Sequence, residues 1–193
     1  QLVNAQLKTI VADAEVLPAL IEVADQAPEL RTVVVVGGVP DDAAIPAHWR
    51  IVDWPRWKDE PDWNGSGPRA QDIAAIMYTS GTSGPAKGVL MPHAHCALYG
   101  IGTIRCVELT QSDRYYIVLP LFHANGLLMQ LGATLLARCS AYTRRRFSAS
   151  QWLDDIREQK ATVTNLLGAT SAFVLAQPPT DRDRDHRLRA TLN

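Results

Sequence analysis

Residues 78–89 read Tyr-Thr-Ser-Gly-Thr-Ser-Gly-Pro-Ala-Lys-Gly-Val, a segment of glycine and hydroxyl residues that carries one lysine. Glycine has no Cβ, so it permits positive φ and lets a ligand approach the backbone closely. The N–H groups freed in such a turn form a concave nest for an anion, and serine or threonine hydroxyls add donors. Lys87 adds a flexible positive charge that can follow a phosphate group. The residues therefore predict a loop that holds a polyphosphate.

Two other interpretations of this segment have to be weighed. Glycine- and serine-rich stretches are most often flexible connectors, but a connector needs neither a fixed lysine nor apolar, strand-like sequence on both sides. The Walker P-loop, G-x-x-x-x-G-K-[ST], opens into a helix. Here no hydroxyl residue follows Lys87, and Gly-Val-Leu-Met-Pro at 88–92 is poor helix material. Walker chemistry is disfavoured, and a helix beginning at Gly88 would revive it.

A second motif follows a strand-like run at 115–119 and reads Leu-Pro-Leu-Phe-His-Ala-Asn-Gly over residues 119–126. Taken alone, His123 is best explained as a buried histidine with one ring nitrogen bound to the backbone. The spacing between this motif and the first one is what points to a functional role for His123.

Segment 78–89 resembles the phosphate-binding signature [YF]-T-S-G-[TS]-[TS]-G-x-[PA]-K-G-[VI] of the adenylate-forming superfamily, which includes acyl-CoA synthetases, peptide-synthetase adenylation domains and luciferases. Residues 119–126 resemble the P-x-[FY]-H-x-x-G motif that follows it in that family. Two motifs in the right order are more specific than either one. The chain's end, with Gln-Pro-Pro at 177–179 and His-Arg-Leu-Arg at 186–189, is most similar to the crotonobetaine/carnitine-CoA ligase branch.

The resemblance implies an ATP-dependent acyl-CoA ligase that needs ATP, Mg²⁺ and coenzyme A and acts on a small carboxylic acid through an acyl-adenylate. It implies catalytic roles for Lys87 and His123. The residues implied to bind the phosphates are Thr79, Ser80, Gly81, Thr82, Ser83, Gly84 and Lys87. Those implied to line the acyl site are His123, Asn125, Gly168 and Ala169. No metal ligand is assigned within the chain.

Alternation of strand and helix patterns through the second half predicts an α/β fold with a mostly parallel sheet flanked by helices. The resemblance makes residues 1–193 part of one large N-terminal AMP-binding domain. Helical patterns are expected at 5–26 (with Pro18 opening a second helix), 93–109 (interrupted by Gly100 and Gly102), 126–137, from Ser148 or Ser150 to 159, and from 168. Strands are expected at 32–36, 50–52, 72–78, 89–91, 115–119, 138–143 and 161–167.

Three further segments have simple interpretations. Residues 39–70 hold five of the 12 prolines and four of the five tryptophans, which predicts a long loop anchored to the body by its tryptophans. Arg144–Arg146 could grip a coenzyme A phosphate, but a solvated edge is the better default. The alternating charges at 181–189 are expected to be exposed.

Composition excludes several classes of protein. With 47% apolar and 20% charged residues and a formal charge of −1, the chain has ordinary globular composition and no sign of broad nucleic-acid binding. No apolar run approaches the roughly 18 residues of a membrane span. Three widely spaced cysteines suggest neither disulfides nor zinc, which favours a cytoplasmic location. A homodimer is left open.

The family's later motifs, its hinge and the C-terminal domain with its adenylation lysine have no counterpart in the 193 residues. We therefore expect this chain, a segment of the enzyme, not to form acyl-adenylate by itself. Two alternatives stay open: a non-catalytic nucleotide-binding module, and an acid-activating enzyme that loads a carrier protein.

Overall fold

The computed structural model describes residues 1–54, 64–79 and 86–193. The chain divides into two compact units, residues 1–67 and 68–193. In the part of the chain that is described, no helix combines the length and apolarity needed to cross a membrane.

The first unit is a three-stranded parallel sheet with one short helix. Its elements are β1 (Thr9–Asp13), α1 (Leu17–Glu22), β2 (Thr32–Val36) and β3 (Arg50–Asp53). Strand β2 is central, and its Val33 and Val35 are fully buried against Leu17 and Trp49. The β-branched run at 32–36 therefore forms a buried parallel strand, as its sequence predicts.

The helical prediction for residues 5–26 is wrong at its start. Residues 9–13 form β1, which pairs with β2 so that Thr9 lies opposite Thr32. Three β-branched residues in a row, Thr9 to Val11, fit a pleated strand better than a helix. Pro18 does lie in the first turn of α1, where the missing N–H has no helical partner to lose.

The tryptophans of the 39–70 loop behave differently from one another. Trp49 is buried in the core of the first unit, as an anchor should be. Trp54 is 41% exposed, so its burial does not support an anchoring role. Trp57 and Trp63 lie outside the described residues.

The second unit contains an antiparallel hairpin, a four-stranded parallel sheet and helices. Its elements are β4 (Ile73–Thr79), β5 (Lys87–Pro92), α2 (His93–Val107), β6 (Arg114–Ile117), a π-helix (Asn125–Gly132) continued by α3 (Ala133–Ala137), β7 (Ser140–Thr143), α4 (Ala149–Glu158), β8 (Val163–Asn165), α5 (Gly168–Leu175) and β9 (Ala190–Leu192). The order in the parallel sheet is β7-β6-β8-β9.

Strand β6 is buried on both faces. Tyr115 and Ile117 belong to a core with residues of α2 and α3, whereas Tyr116 and Val118 belong to a second core with Trp152 and other α4 residues. Successive side chains of a strand point to opposite faces, so one strand supplies both cores. The predicted α/β fold with parallel strands between helices is confirmed.

Three local differences from the sequence predictions have physical reasons. Helix α2 is continuous through Gly100. This glycine serves close packing rather than a helix break, since a Cβ there would lie 2.8 Å from Leu136 Cδ1. Ser148 occupies the N-cap of α4, but its hydroxyl lies near Ser150 Oγ (3.3 Å) and makes no cap bond. Strand β9 was not expected, since three residues carry too little pattern to be recognised.

A buried carboxylate ties the end of the chain to the turn before β6. Asp113 accepts hydrogen bonds from Arg189 Nη2 (2.6 Å), Thr162 Oγ1 (2.7 Å) and the Thr110 N–H (2.8 Å). Arg189 also donates to the Val107 carbonyl at 2.7 Å. The predicted exposure of 181–189 therefore holds for the side chains of 181–187 but misses the bound guanidinium of Arg189.

We expect Asp113 to make the protein sensitive to acid. The Arg189 guanidinium, with help from Thr162 and Thr110, holds the pKa of the Asp113 carboxyl well below its usual range. A carboxyl with a depressed folded-state pKa stabilises the fold above its unfolded pKa, near 3.9, and this contribution is lost as pH falls through the folded value. Asp113→Asn should therefore lower the free energy of unfolding at pH 7 by about 2 kcal/mol and flatten its decline below pH ~4.

Urea unfolding followed over a range of acidic pH values measures this slope. Asp181→Asn, at an exposed position, is the matched control and should keep the wild-type pH dependence. Equal slopes for wild type and Asp113→Asn would refute the assignment.

Candidate functional site

The phosphate-loop segment is carried by a β-hairpin. Strands β4 and β5 are antiparallel, with Thr79 opposite Lys87 and Tyr78 opposite Gly88. A strand rather than a helix therefore contains Gly88, which rules out the Walker arrangement. The predicted phosphate ligands Ser80, Gly81, Thr82, Ser83 and Gly84 lie outside the described residues.

Gly88 has a packing reason within the hairpin. A Cβ at this position would lie 2.9 Å from Ile76 Cγ2 and 3.4 Å from the Tyr78 ring. The absence of a side chain at Gly88 thus lets the Tyr78 ring lie against β5. This contact is next to Thr79 and Lys87, the pair at which the two strands separate. Glycine is therefore needed at position 88 for packing within the hairpin and not for a positive φ angle.

Thr79 and Lys87 mark where the two strands open toward the phosphate loop. Both residues are exposed, and the Thr79 hydroxyl lies 3.5 Å from the Lys87 carbonyl. Among residues 1–54, 64–79 and 86–193 the Lys87 amine has no ion pair. An exposed lysine that forms no ion pair with another described residue is available to an anion.

The loop that carries His123 is fixed by Gly126. Pro120 O accepts the His123 N–H at 3.1 Å, and it also lies 2.4 Å from the position a Cβ would take on Gly126. Leu119 O would lie 2.7 Å from the same Cβ. The glycine of the second motif therefore lets the π-helix begin directly against the turn that holds His123.

One cavity joins the two motifs. It has a volume of about 410 Å³ and lies between the hairpin, α2 and the His123 loop. Its lining residues are Met77, Tyr78, Thr79, Val89, Met91, Tyr99, Phe122, His123 and Ala124. Thr79, from the phosphate-loop motif, and His123, from the second motif, thus border the same space.

Phe122 borders a second and larger cavity of about 760 Å³. This cavity has an apolar floor from the end of β6 and the turn after it, and Arg145 and Arg146 lie at its edge. The phenyl ring of Phe122 is 77% exposed and stands 4.5 Å from the imidazole of His123, centroid to centroid. A group held beside His123 could therefore continue past Phe122 into the larger space.

The three neighbouring arginines differ in their environment. Arg144 is half-buried, and its guanidinium binds the Asp155 carboxylate and Gln151 Oε1. Tyr116 donates to the same carboxylate at 2.6 Å. The prediction of a solvated edge is wrong for Arg144, while Arg145 and Arg146 are exposed as expected.

Gly168 and Ala169 form the exposed first turn of α5. Neither residue borders the cavity that contains His123, but Thr170, one position later, borders the larger one. A Cβ on Gly168 would meet no atom within 4 Å. The predicted acyl-site residues are therefore not all brought together around one space.

A buried polar network stands behind Asn125, and no sequence motif identifies it. Asn125 Oδ1 accepts from Asn165 Nδ2 and from Gln130 Nε2, both at 3.1 Å, and Tyr115 donates to Asn165 Oδ1 at 2.5 Å. Tyr115, Gln130 and Asn165 are at most 1% exposed. The available signal was Asn165, a polar residue within the strand-like run at 161–167.

The described residues fit a polyphosphate better than they fit a metal ion. Thr79 and Lys87 are exposed and place a hydroxyl and a lysine side chain at the open end of the hairpin. The segment 78–89 contains no carboxylate, which is the ligand Mg²⁺ prefers in proteins. Within the described ranges, no three His, Cys, Asp or Glu residues are grouped to hold a metal. No catalytic step is therefore assigned to a metal ion here.

Comparison with known proteins adds independent findings. A family model described as AMP-binding enzyme matches residues 1–192. The medium/long-chain-fatty-acid–CoA ligase FadD17 of Mycobacterium marinum is 35% identical over 144 residues, which is 75% of this chain and 28% of that protein. The crotonobetaine/carnitine–CoA ligase of Shigella sonnei is 27% identical over 193 residues, which is 98% of this chain and 36% of that protein.

Solved structures show the same fold. ATP-bound MatB from Rhodopseudomonas palustris matches with a TM-score of 0.76 at 23% identity, over 97% of this chain and 35% of that chain. The anthranilate CoA ligase AuaEII in complex with anthranoyl-AMP matches with a TM-score of 0.78 at 21% identity, over 98% and 36%. The chain thus spans about a third of the length of the proteins it matches.

Proposed function

We propose that this chain, which belongs to the family of AMP-binding enzymes, is the phosphate-binding and acyl-binding part of an ATP-dependent acid–thiol ligase. Residues 1–193 would then be part of one AMP-binding domain. The observation that carries the proposal is the single cavity bordered by Thr79 of the hairpin and His123 of the following loop.

The proposed reaction has two steps. A carboxylate oxygen attacks the α-phosphorus of ATP, and the bond to pyrophosphate breaks to leave an acyl-adenylate. A thiol, which gives up its proton, then attacks the acyl carbon and AMP leaves. We propose coenzyme A as the thiol, which is the acceptor named for the ligases that the chain resembles.

Lys87 and Thr79 are proposed to act on the phosphates. Attack of one anion on another is opposed by charge repulsion, so fixed donors and positive charge near the phosphates lower the barrier. Lys87 supplies the charge and Thr79 a hydroxyl, from opposite strands of one hairpin. Ser80, Gly81, Thr82, Ser83 and Gly84 are proposed to add donors between them.

His123 is proposed to border the acyl group beside the reacting carboxylate. The bond from the His123 N–H to Pro120 O holds the backbone of its loop, and His123 borders the cavity that Thr79 also borders. Asn125, Gly168 and Ala169 are also proposed to contribute to the acyl side, although none of them lines either of the two cavities that Phe122 borders. The substrate is a small carboxylic acid.

Acid-dependent exchange of radioactive pyrophosphate into ATP tests the proposal. The assay should use the 193-residue chain and any longer natural polypeptide that contains it, with a panel of carboxylic acids. We expect exchange only when an acid is present, and AMP release that depends on coenzyme A. Exchange is expected from the longer polypeptide and not from the 193-residue chain alone.

The alternatives give other results in the same assay. Binding of ATP without exchange for any acid by the longer polypeptide would favour the non-catalytic nucleotide-binding module. Exchange without coenzyme A-dependent AMP release would favour an enzyme that loads a carrier protein. Sedimentation of the same samples would show whether the protein forms a homodimer.

A further inference from the structure

The cavity of about 760 Å³ lies at the carboxyl edge of the parallel sheet, between two neighbouring strands whose connections diverge. After β6 the chain enters the π-helix and α3, which pack on one face of the sheet, and after β8 it enters α5, which packs with α4 on the other face. In open α/β sheets, ligands bind in the crevice that opens at such a point. Residues 117–122, at and after the end of β6, and Thr170, which follows β8, line this cavity together. The sheet topology therefore marks it as a place for a ligand.

The charged lining of this cavity consists of arginine. Arg144, Arg145 and Arg146 border it, and no described aspartate or glutamate does. The Arg144 guanidinium is neutralised by the carboxylate of Asp155. Arg145 and Arg146 are exposed, and neither side chain forms an ion pair or a hydrogen bond with another described residue. Two positive charges thus stand at the edge of the cavity without an anion.

The bound arginine holds the backbone from which the other two project. The Arg144 N–H donates to Ile117 O at 3.0 Å, and Arg144 Nε donates to Arg146 O at 3.2 Å. Its partner Asp155 is itself fixed, because it lies on α4 and accepts from the Tyr116 hydroxyl at 2.6 Å. A ligand at the cavity would therefore need to order only the two free side chains, which keeps the entropic cost of binding low.

The remaining lining is mostly apolar. Leu121 and Phe122 are exposed and Phe147 is half-buried, so a ligand with an apolar stem would remove their surface from water. A small inorganic anion would leave that surface exposed, and an uncharged chain would gain nothing from the two arginines. The lining therefore fits a ligand that has both an apolar stem and a negative end.

Resting on the proposed function, we propose that this cavity is a specificity site for the far end of the acid, where Arg145 and Arg146 bind a second carboxylate. Phe122 borders both this cavity and the one that contains His123, so the chain of a dicarboxylic acid would pass Phe122 between the two ends. A guanidinium binds a carboxylate through two parallel N–H···O bonds, which supply geometry as well as attraction. An ammonium at the same end of the chain would be repelled.

The test compares acids of equal chain length that differ only at the far end: hexanoate, hexanedioate and ω-aminohexanoate, with the same three ends on octanoate and decanoate chains. Acid-dependent exchange is measured near neutral pH with the natural polypeptide that contains the chain. We expect kcat/KM for the best diacid to exceed that for the matched monoacid by about tenfold or more. The ω-amino acid should be the poorest of the three. This comparison needs only the wild-type protein, so it does not depend on the folding of a variant.

Replacing both free arginines tests their role directly. Arg145→Ala/Arg146→Ala should reduce the ratio of diacid to monoacid to within about twofold. Arg145→Glu/Arg146→Glu should favour the ω-amino acid over the diacid, a reversal that general damage to the fold would not produce. The matched control is Arg105→Ala/Arg184→Ala, which also removes two exposed arginines but from positions that line neither cavity. This control should keep the wild-type ratio.

The outcomes separate the two proposals. Absence of exchange with every acid would overturn the proposed function itself. Exchange in which no diacid exceeds its matched monoacid would leave that function standing and overturn the specificity site. A diacid preference that survives in Arg145→Ala/Arg146→Ala would remove the arginines from it. If that variant instead keeps the preference and only raises the KM for coenzyme A, the arginines serve a phosphate of the thiol, and the proposal is equally refuted.

Discussion

Gly126→Ala is expected to destabilise the protein more than alanine at any other glycine that the structure describes in the second unit. The new Cβ would stand 2.4 Å from Pro120 O and 2.7 Å from Leu119 O, and both are backbone atoms that cannot rotate away. Relief requires the turn to separate from the π-helix. Overpacking of this kind costs about 3 kcal/mol, a large part of the roughly 5–15 kcal/mol that stabilises a domain.

The same substitution should disturb the site. Pro120 O is also the acceptor for the His123 N–H, so moving that carbonyl moves the loop that carries the imidazole and Phe122. We expect lower acid affinity in any Gly126→Ala protein that remains folded. Urea unfolding measures the first effect, and the KM for the acid measures the second.

Gly102→Ala is the control for Gly126→Ala. It lies in α2, is exposed, and a Cβ there would meet no atom within 4 Å. Because alanine is the better helix former, this variant should be more stable than wild type by about 0.5–1 kcal/mol. If Gly126→Ala unfolds at the same urea concentration as wild type, then the close approach of Pro120 O to Gly126 does not require glycine at this position.

The sequence predicts those parts of the fold whose signal is local. The valine run at 32–36, the two strands around the phosphate loop, and the alternation of strand and helix after residue 110 are all found. Each depends on β-branched runs, glycines or apolar spacing within about ten residues. The strand at residues 9–13 was not predicted, because its apolar spacing also fits a helix. Only its pairing with β2, in which Thr9 lies opposite Thr32, distinguishes a strand from a helix here.

The long-range interactions could not be predicted in this way. Arg189 reaches Asp113 across 76 positions, and β9 exists only because β8 offers an edge to three residues. Arg144 was interpreted as solvated because nothing near it in sequence identifies Asp155 as its partner. Such contacts depend on how separate elements pack, which a local pattern does not contain.

The site shows the same division between motif and environment. Thr79 and His123 were identified by their motifs, and the cavity they share is a geometric finding. The network of Tyr115, Asn165 and Gln130 was missed, because each residue lies in a segment that looks like ordinary strand or helix. A motif identifies the residues that face a ligand, while the residues behind them become visible only when the elements are assembled.

Lys87→Ala is expected to slow acyl-adenylate formation by about 100-fold or more, which is the usual loss when one fixed donor to a developing negative charge is removed. Lys87 is exposed at the first position of β5, so its loss should leave the free energy of unfolding nearly unchanged. The deficit would then belong to the chemistry rather than to the fold. Single-turnover formation of acyl-adenylate, measured separately from thioester formation, isolates the step.

Two companion variants define what Lys87 contributes. Lys87→Arg keeps the positive charge and should recover part of the rate, although the planar guanidinium cannot follow a departing phosphate as a flexible ammonium can. Lys8→Ala removes an exposed lysine from the first unit and should leave the rate at the wild-type value. An unchanged rate in Lys87→Ala would remove the phosphate role assigned to this residue. A rate lost equally in Lys87→Ala and Lys87→Arg would mean that the shape of the ammonium, and not its charge alone, is what the leaving pyrophosphate requires.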